Sequence, residues 1–310
     1  MPADRAMPTT GRLLDFDGTI RRRARLAGRL AAAAIAPSSY PRVPVARAFW
    51  YDGIANFGDA LTPWLLRRAG IVAIHARPKS AEFVGVGSIL EMLPADFDGA
   101  IWGSGLLRDA PVALPNARIL AVRGHMTADH VGAPTATALG DPGLLVSMFM
   151  KRPRVRWRLG IVPHHMHEDD PIWQAIKAQA PSQTRVINVR RGPTAVLGEI
   201  AACDFVLSTS LHGLITADAF GIPAAWARRE PDLWGGRFKF LDYESAVTPG
   251  ITREIVLENA APSPDELISQ TSCVDSERVR LLQTGLLDSL HSLELPRAMP
   301  LFTVARALGR

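Results

Sequence analysis

Phe205-Val206-Leu207-Ser208-Thr209-Ser210-Leu211-His212-Gly213-Leu214-Ile215, running on through Phe220 to Gly221-Ile222-Pro223-Ala224-Ala225-Trp226, reads as one strand–helix–strand unit. Phe205–Ser208 has strand character, Leu211–Phe220 is helical, and Ala224–Trp226 starts the next strand. Working backwards, strands at Leu159–Val162 and Arg185–Val189 alternate with helices at Ile172–Ala180 and Thr194–Ala202. An earlier series has strands at Ala46–Tyr51, Ala81–Val86, Gly99–Trp102 and Ala117–Val122. Its helices are Asp59–Ala69 and a stretch reaching Val131, and Thr137–Leu139 leads into Gly140-Asp141-Pro142. Strands alternating with helices imply parallel sheets covered by helices. Lys151–Arg158 interrupts the alternation and reads as a connection, so the expected organisation is α/β, with two Rossmann-like lobes and parallel sheets. A last helix, roughly Asp275 to Leu293, carries Val279, Leu282, Leu286, Leu287 and Leu290 at helical spacing. The expected division is a basic N-terminal extension (1–45), an N-terminal lobe (46–150) and a C-terminal lobe with the terminal helix (151–310).

Composition narrows the functional classes. The 310 residues are 47% hydrophobic and 21% charged, which excludes a disordered chain. The longest apolar region, Thr194 to Ala227, is broken by Glu199, Asp204, His212 and Asp218, so no membrane-spanning run is expected. The net charge of +5 is concentrated in residues 1–48, where nine Arg face three Asp. The remainder is near neutral, which argues against a nucleic-acid-binding body and leaves a basic arm suited to anionic lipid. Cys203 and Cys273 form no disulfide framework, and a reducing compartment fits them.

In open α/β sheets ligands sit beyond the carboxyl ends of the strands, and with two lobes the cleft between them is the expected site. Asn56-Phe57-Gly58-Asp59 follows the first strand and Gly103-Ser104-Gly105 the third; both are glycine turns where backbone can approach an anion. Ser208-Thr209-Ser210 precedes a helix whose free N–H groups suit phosphate or carboxylate, and His212 beside them suits proton transfer. His164-His165-Met166-His167-Glu168-Asp169-Asp170 is read as a loop with one functional histidine, because contiguous residues on a loop rarely converge on one metal. Leu13-Leu14-Asp15-Phe16-Asp17-Gly18-Thr19-Ile20 reproduces the nucleophile loop of haloacid-dehalogenase-type phosphatases. It lies inside the basic arm, its only distal acid candidates are Asp141 and the pair Asp169-Asp170, and none of the four lysines has a convincing context, so it is read as coincidence.

Taken in order, these motifs resemble the polysaccharide pyruvyl transferase family, in particular bacterial ketal pyruvate transferases of exopolysaccharide synthesis. The resemblance is carried by Asn56-Phe57-Gly58-Asp59-x-Leu61, Gly85-x-Gly87-Ser88, Gly103-Ser104-Gly105, Val122-Arg123-Gly124, Gly140-Asp141-Pro142 and Val162-Pro163-His164. It continues with Ser210-Leu211-His212-Gly213 through Pro223 and ends at Phe238-Lys239-Phe240-x-Asp242-Tyr243.

The resemblance implies a GT-B-like arrangement of the lobes and transfer of pyruvate from phosphoenolpyruvate onto two sugar hydroxyls, releasing phosphate. It demands no metal and no organic cofactor. It implies catalytic roles for His212 and Arg123, and substrate contacts from Asn56, Asp59, Ser104, His164, Ser210 and Lys239. Many relatives carry Arg where this chain has Ser210, so either Arg123, Arg190, Arg191 or Arg228 supplies that charge or the donor differs. The implied acceptor is a lipid-linked oligosaccharide, met in the cytoplasm at the inner membrane face, where the basic arm would contact anionic lipid. Competing readings are a nucleotide-sugar glycosyltransferase and a catalytically inactive binding member of an assembly complex.

Overall fold

The computed structural model describes residues 43–298. The phosphatase-like motif at 13–20 and most of the basic arm lie outside the described residues. The first sheet contains β1 (Val43–Phe49), β2 (Val72–His75), β3 (Phe83–Val84), β4 (Ala100–Ser104), β5 (Arg118–Val122) and β6 (Ala138–Leu139). Its order is β1-β3-β4-β5-β6, with β2 on the other side of β1: Ala48 pairs with His75 and with Phe83. These strands are parallel. The helices of this half are α1 (Leu61–Arg68), α2 (His125–Val131) and α3 (Val146–Phe149).

The second sheet contains β7 (Trp157–Val162), β8 (Thr184–Val186), β9 (Cys203–Ser208), β10 (Ala224–Arg228) and β11 (Glu254–Val256), in the order β11-β10-β9-β7-β8 and all parallel. Interleaved with them are α4 (Ile172–Gln179), α5 (Pro193–Ala201), α6 (Leu211–Ala219), α7 (Phe238–Val247), α8 (Pro264–Ser269) and α9 (Ser276–His291). The chain ends its described course at β12 (Arg297–Ala298), antiparallel to the start of β1.

Period-two alternation puts apolar side chains on both faces of each sheet, as helix-covered parallel strands require. Leu159, Ile161, Leu207, Ala225 and Ile255 face α4 and α8. Val162, Val206, Ala224 and Trp226 face the other way, into a core shared with Ala46, Phe83, Ala100 and Trp102 of the first sheet. That common core is what fixes the two lobes against each other. α6 lies inside it with all nine residues buried, the condition under which a helix apolar on every side is stable.

Three long-range ties hold the arrangement. α9 returns to the first sheet, where Trp102 Nε1 donates to Leu286 O at 2.9 Å and Gln283 Nε2 to Leu144 O at 2.7 Å. Asp242 of α7 reaches the first lobe and accepts from Arg123 Nε at 2.8 Å, Thr127 N at 2.7 Å and Thr127 Oγ1 at 2.7 Å. This approach is close enough that a Cβ on Gly124 would lie 1.7 Å from Asp242 O, so only glycine fits there. Within the second lobe, Asp218 of α6 is held by Arg253 at 2.6 and 2.9 Å and by the Tyr243 hydroxyl at 2.7 Å.

The expected elements are present, β3 shortened to Phe83–Val84, and β2, β11 and α8 are additions to them. The strand expected over Arg185–Val189 stops at Val186, because Val189 O accepts from Phe57 N of the other lobe at 2.9 Å. The segment Phe238–Tyr243 is the first half of a helix, α7.

Candidate active site

Each sheet has one point where the chain turns from one side of a strand to the other. In the first sheet it lies between β1 and β3, and in the second between β7 and β9. Strands diverge beyond such points and leave a crevice at their carboxyl ends. The loops after β1 and β3 supply Asn56, Asp59 and Ser88, and those after β7 and β9 supply His164, His165, Ser210 and His212. The two crevices face each other and enclose one pocket of about 120 Å³, with Lys239 from α7 also in its wall.

Local chemistry explains how each loop holds its residue. Asn56 Oδ1 accepts from Gly58 N at 3.1 Å, an Asx turn that presents Asp59 just before α1. Ser208 Oγ accepts from Ser210 N at 3.0 Å and shapes the entry to α6. Thr209 Oγ1 accepts from His164 N at 2.8 Å, binding the two second-lobe loops together. His164 Nδ1 accepts from Met166 N at 3.3 Å, which places its ring proton on Nε2 as a donor. Gly58 packs so near His212 that a Cβ there would come within 2.1 Å of Nδ1.

The electrostatics are set by burial. Asp59 is pushed up to about 7 by burial, with Lys239 and a hydrogen bond to Asn56 pulling the other way. Lys239 is pushed down to about 8, by burial first and then by Arg123. His212 is pushed down to about 3 by burial, with Lys239 and Arg123 adding repulsion, so its imidazole is neutral at pH 7. Burial likewise holds His164 far below the usual histidine range. The pocket thus presents a protonatable carboxyl, a cation and neutral imidazoles.

Of the eight expected residues, six are brought together here: Asn56, Asp59, His164, Ser210, His212 and Lys239. The other two stand behind the wall. Arg123 is fully buried, and its guanidinium is engaged by Asp242, by Ser88 Oγ at 2.5 Å and by Leu106 O at 2.6 Å. Ser104 is also fully buried and donates to Gly87 O at 2.8 Å. Where relatives have Arg before the Leu-His pair, the cation in this pocket's lining is Lys239. Arg228 is instead paired with Glu254 at 3.6 Å.

The histidine-rich loop divides its labour. His164 and His165 line the pocket with ring centroids 4.0 Å apart. His167 is buried and hydrogen-bonds through Nε2 to Pro231 O at 2.8 Å, Glu168 pairs with Arg190, and Asp170 pairs with Arg229 at 2.7 Å. Among the described residues no group of three or more His, Cys, Asp or Glu converges to hold a metal ion.

The structure also places Asp141, which was not among the expected site residues, against His212. Its Oδ1 accepts from Gly143 N at 2.8 Å, and its Oδ2 lies 3.7 Å from His212 Nε2. Both of those facing atoms are buried without a hydrogen-bond partner. Burial pushes the Asp141 carboxyl up to about 7, with the Gly143 hydrogen bond opposing. The available signal was Gly140-Asp141-Pro142, a motif of the resemblance whose acid was weighed only as a distal partner of the phosphatase-like loop.

Residues 84–230 match the family model described as polysaccharide pyruvyl transferase, a span that includes β3, Arg123, His164 and His212. The chain is 28% identical over 213 residues to the succinoglycan biosynthesis protein ExoV of Rhizobium meliloti strain 1021, covering 66% of this chain and 65% of that protein. It is 29% identical over 181 residues to the uncharacterized protein L143 of Acanthamoeba polyphaga mimivirus, covering 56% of this chain and 61% of that one. The chain therefore spans less than two thirds of the length of either relative. Residues 84–230, which carry Ser88, His164, Ser210 and His212 of the pocket, are thus similar to the polysaccharide pyruvyl transferase family.

Proposed function

We propose that the chain transfers pyruvate from phosphoenolpyruvate onto two hydroxyls of a saccharide, forming a cyclic ketal and releasing phosphate. The observation that carries this reading is the meeting, in one small pocket, of a carboxyl that remains protonated near neutrality with a buried ammonium and neutral imidazoles. Phosphoenolpyruvate needs that set. Its anionic groups are met by Lys239 and by the Nε2–H of His164. Asp59 gives its proton to the methylene carbon, making a methyl group and leaving an oxocarbenium-like centre at the carbon bearing the phosphate.

An acceptor hydroxyl then attacks that carbon and surrenders its proton to His212. The Asp141 carboxyl, 3.7 Å from Nε2, stabilises the ring while it carries the charge. The second hydroxyl displaces phosphate to close the ketal. Two hydroxyl protons are lost in all: the first passes from His212 to the departing phosphate, which regenerates the neutral imidazole, and the second returns to the Asp59 carboxylate. The acceptor is a lipid-linked saccharide of an exopolysaccharide repeat, presented at the inner face of the cytoplasmic membrane, with the arginine-rich arm contacting anionic lipid. No helix among the described residues is long and apolar enough to cross a membrane.

The test is phosphate release from phosphoenolpyruvate in the presence of lipid-linked saccharides, together with thermal protection by the donor alone. Phosphoenolpyruvate at 100 times its Kd should stabilise the fold by about 2.7 kcal/mol. A melting temperature that rises with a nucleotide sugar and not with phosphoenolpyruvate overturns the reading.

A further inference from the structure

The chain has seven tryptophans, and six of them are engaged. Trp64, Trp102, Trp173 and Trp226 each donate the indole N–H to a protein acceptor. Trp50 packs edge-on against His75, and Trp157 has the Arg156 and Arg185 guanidiniums over its ring. Trp234 differs. It is 44% exposed, and among the described residues its indole has no aromatic partner, no cation over it and no hydrogen bond. Yet it lines the reaction pocket, so it stands at the mouth.

The loop that carries Trp234 is built to hold it there. Pro231 O accepts from His167 Nε2 at 2.8 Å, and Leu233 is buried. Gly236 N donates to Leu233 O at 2.8 Å, closing a tight turn around Trp234 and Gly235. Gly235 has φ +76°, and a Cβ on it would lie 2.0 Å from Leu107 O, so the turn is seated directly on the first lobe. Leu107 is fixed in its turn: Glu91 Oε1 accepts from Leu107 N at 2.8 Å and from Arg108 N at 2.9 Å. Both lobes thus keep a large apolar ring partly in water, an unfavourable exposure that a ligand covering the ring would remove.

The pocket's lining contains two sets of side chains. Asp59, Lys239, His164 and His212 serve the donor and the moving protons. Ile54, Met92, Leu107 and Trp234 have no counterpart on phosphoenolpyruvate, a small polyanion with almost no apolar surface. A pyranose ring does match them. Its hydroxyls project from the rim, while its axial C–H groups make a weakly positive apolar patch suited to the negative face of an indole. The indole N–H is available to donate to a ring hydroxyl. We propose that Trp234 is the stacking platform for the hexopyranose that is modified, and so selects a pyranose ring over other polyols. This rests on the pyruvyl-transfer reading and adds a specificity-determining side chain and the ring face that it reads.

The test is saturation-transfer NMR on the full-length protein with lactose, cellobiose and mannobiose, which differ in ring configuration, and with sorbitol, an open-chain polyol. At least one disaccharide should receive saturation at its ring C–H protons, and sorbitol should receive about fivefold less. Trp234→Ala should cut that transfer about fivefold while keeping the thermal shift given by phosphoenolpyruvate. Trp234→Leu, apolar but without an aromatic face, should lose it equally, whereas Trp234→Phe should keep most of it; this pair serves if the alanine variant fails to fold. Undiminished transfer in the alanine or leucine variant overturns the proposal, as does transfer to no disaccharide, or equal transfer to sorbitol. UDP that displaces the disaccharide with the same dependence on Trp234 also overturns it, since the ring would then hold a nucleotide base. Absence of any phosphoenolpyruvate shift in the unsubstituted protein instead overturns the pyruvyl-transfer reading, while the saturation data still judge the platform.

Discussion

Two groups of charged side chains are buried in this molecule, and they are built on opposite principles. At the seam between the lobes, Arg123 meets Asp242, and within the second lobe Arg253 meets Asp218 and Glu244, every partner within 3.1 Å. In the pocket, His212 Nε2 and Asp141 Oδ2 face each other at 3.7 Å with no hydrogen bond to either, and Asp59 lies under the charge of Lys239 without an ion pair among the described residues. The satisfied group holds position. The unsatisfied group sits in a conformation that burial alone disfavours, and such local violations gather where a ligand or a transferred proton completes the set.

The hardest blow to the unsatisfied group is His212→Ala. If the ring takes the hydroxyl proton, turnover should fall by about 10²–10⁴-fold while the melting temperature is retained. Gly58→Ala should mimic it without touching the ring chemically, because the added Cβ would overlap the imidazole at 2.1 Å. Phosphate release and circular dichroism on the same preparations separate the two effects. Full turnover in His212→Ala would erase the functional half of the comparison.

The satisfied group should answer in the other currency. Asp242→Ala leaves the Arg123 guanidinium buried beside a vacancy and also removes the acceptor for Thr127, so unfolding should become easier by about 3–5 kcal/mol. Urea denaturation measures this. Donor binding per folded molecule should change far less, because Arg123 does not line the pocket.

The sequence disclosed the unsatisfied group better than the satisfied one, for a physical reason. Asn56, Asp59, His164 and His212 sit directly after β-strands, and in a parallel sheet that local position alone delivers them to the crevice. The strands were legible because period-two apolar runs and glycine turns are local signals. Arg123 was misplaced toward the donor because its partner Asp242 stands 119 residues away on a helix read only as a lysine-bearing segment. Asp141 met His212 only through the docking of the two lobes, and no spacing in the chain encodes that contact. The return of α9 to the first sheet is hidden for the same reason: its apolar stripe announces burial and not against which sheet. β2, four residues placed just after α1, was too short to register as a strand.

pH sharpens the comparison with the smallest step. Asp59 must be protonated to act as the acid, and its value of about 7 means that kcat/KM should fall about tenfold per pH unit above 7. His212, at about 3, imposes no acidic limb down to pH 4. The stability effect of Asp59 runs with a definite sign. A carboxyl raised in the fold binds more protons folded than unfolded between its ordinary value of 3.8 and 7, so stability declines as pH rises through that window. Asp59→Asn removes the titrating group, so it should match the parent near pH 4 and exceed it in stability at pH 7 and above, while turnover is lost. The Arg253 cluster gives no such gain, since Asp218→Asn would break an ion pair that Arg253 needs. Chemical denaturation of both variants at pH 8 therefore tells the two groups apart: burial raises both carboxyls, but replacing Asp218 forfeits two bonds from the Arg253 guanidinium and replacing Asp59 forfeits no ion pair among the described residues. An Asp59→Asn variant less stable than the parent at pH 8 would move Asp59 into the supporting group and leave the methylene carbon without its acid.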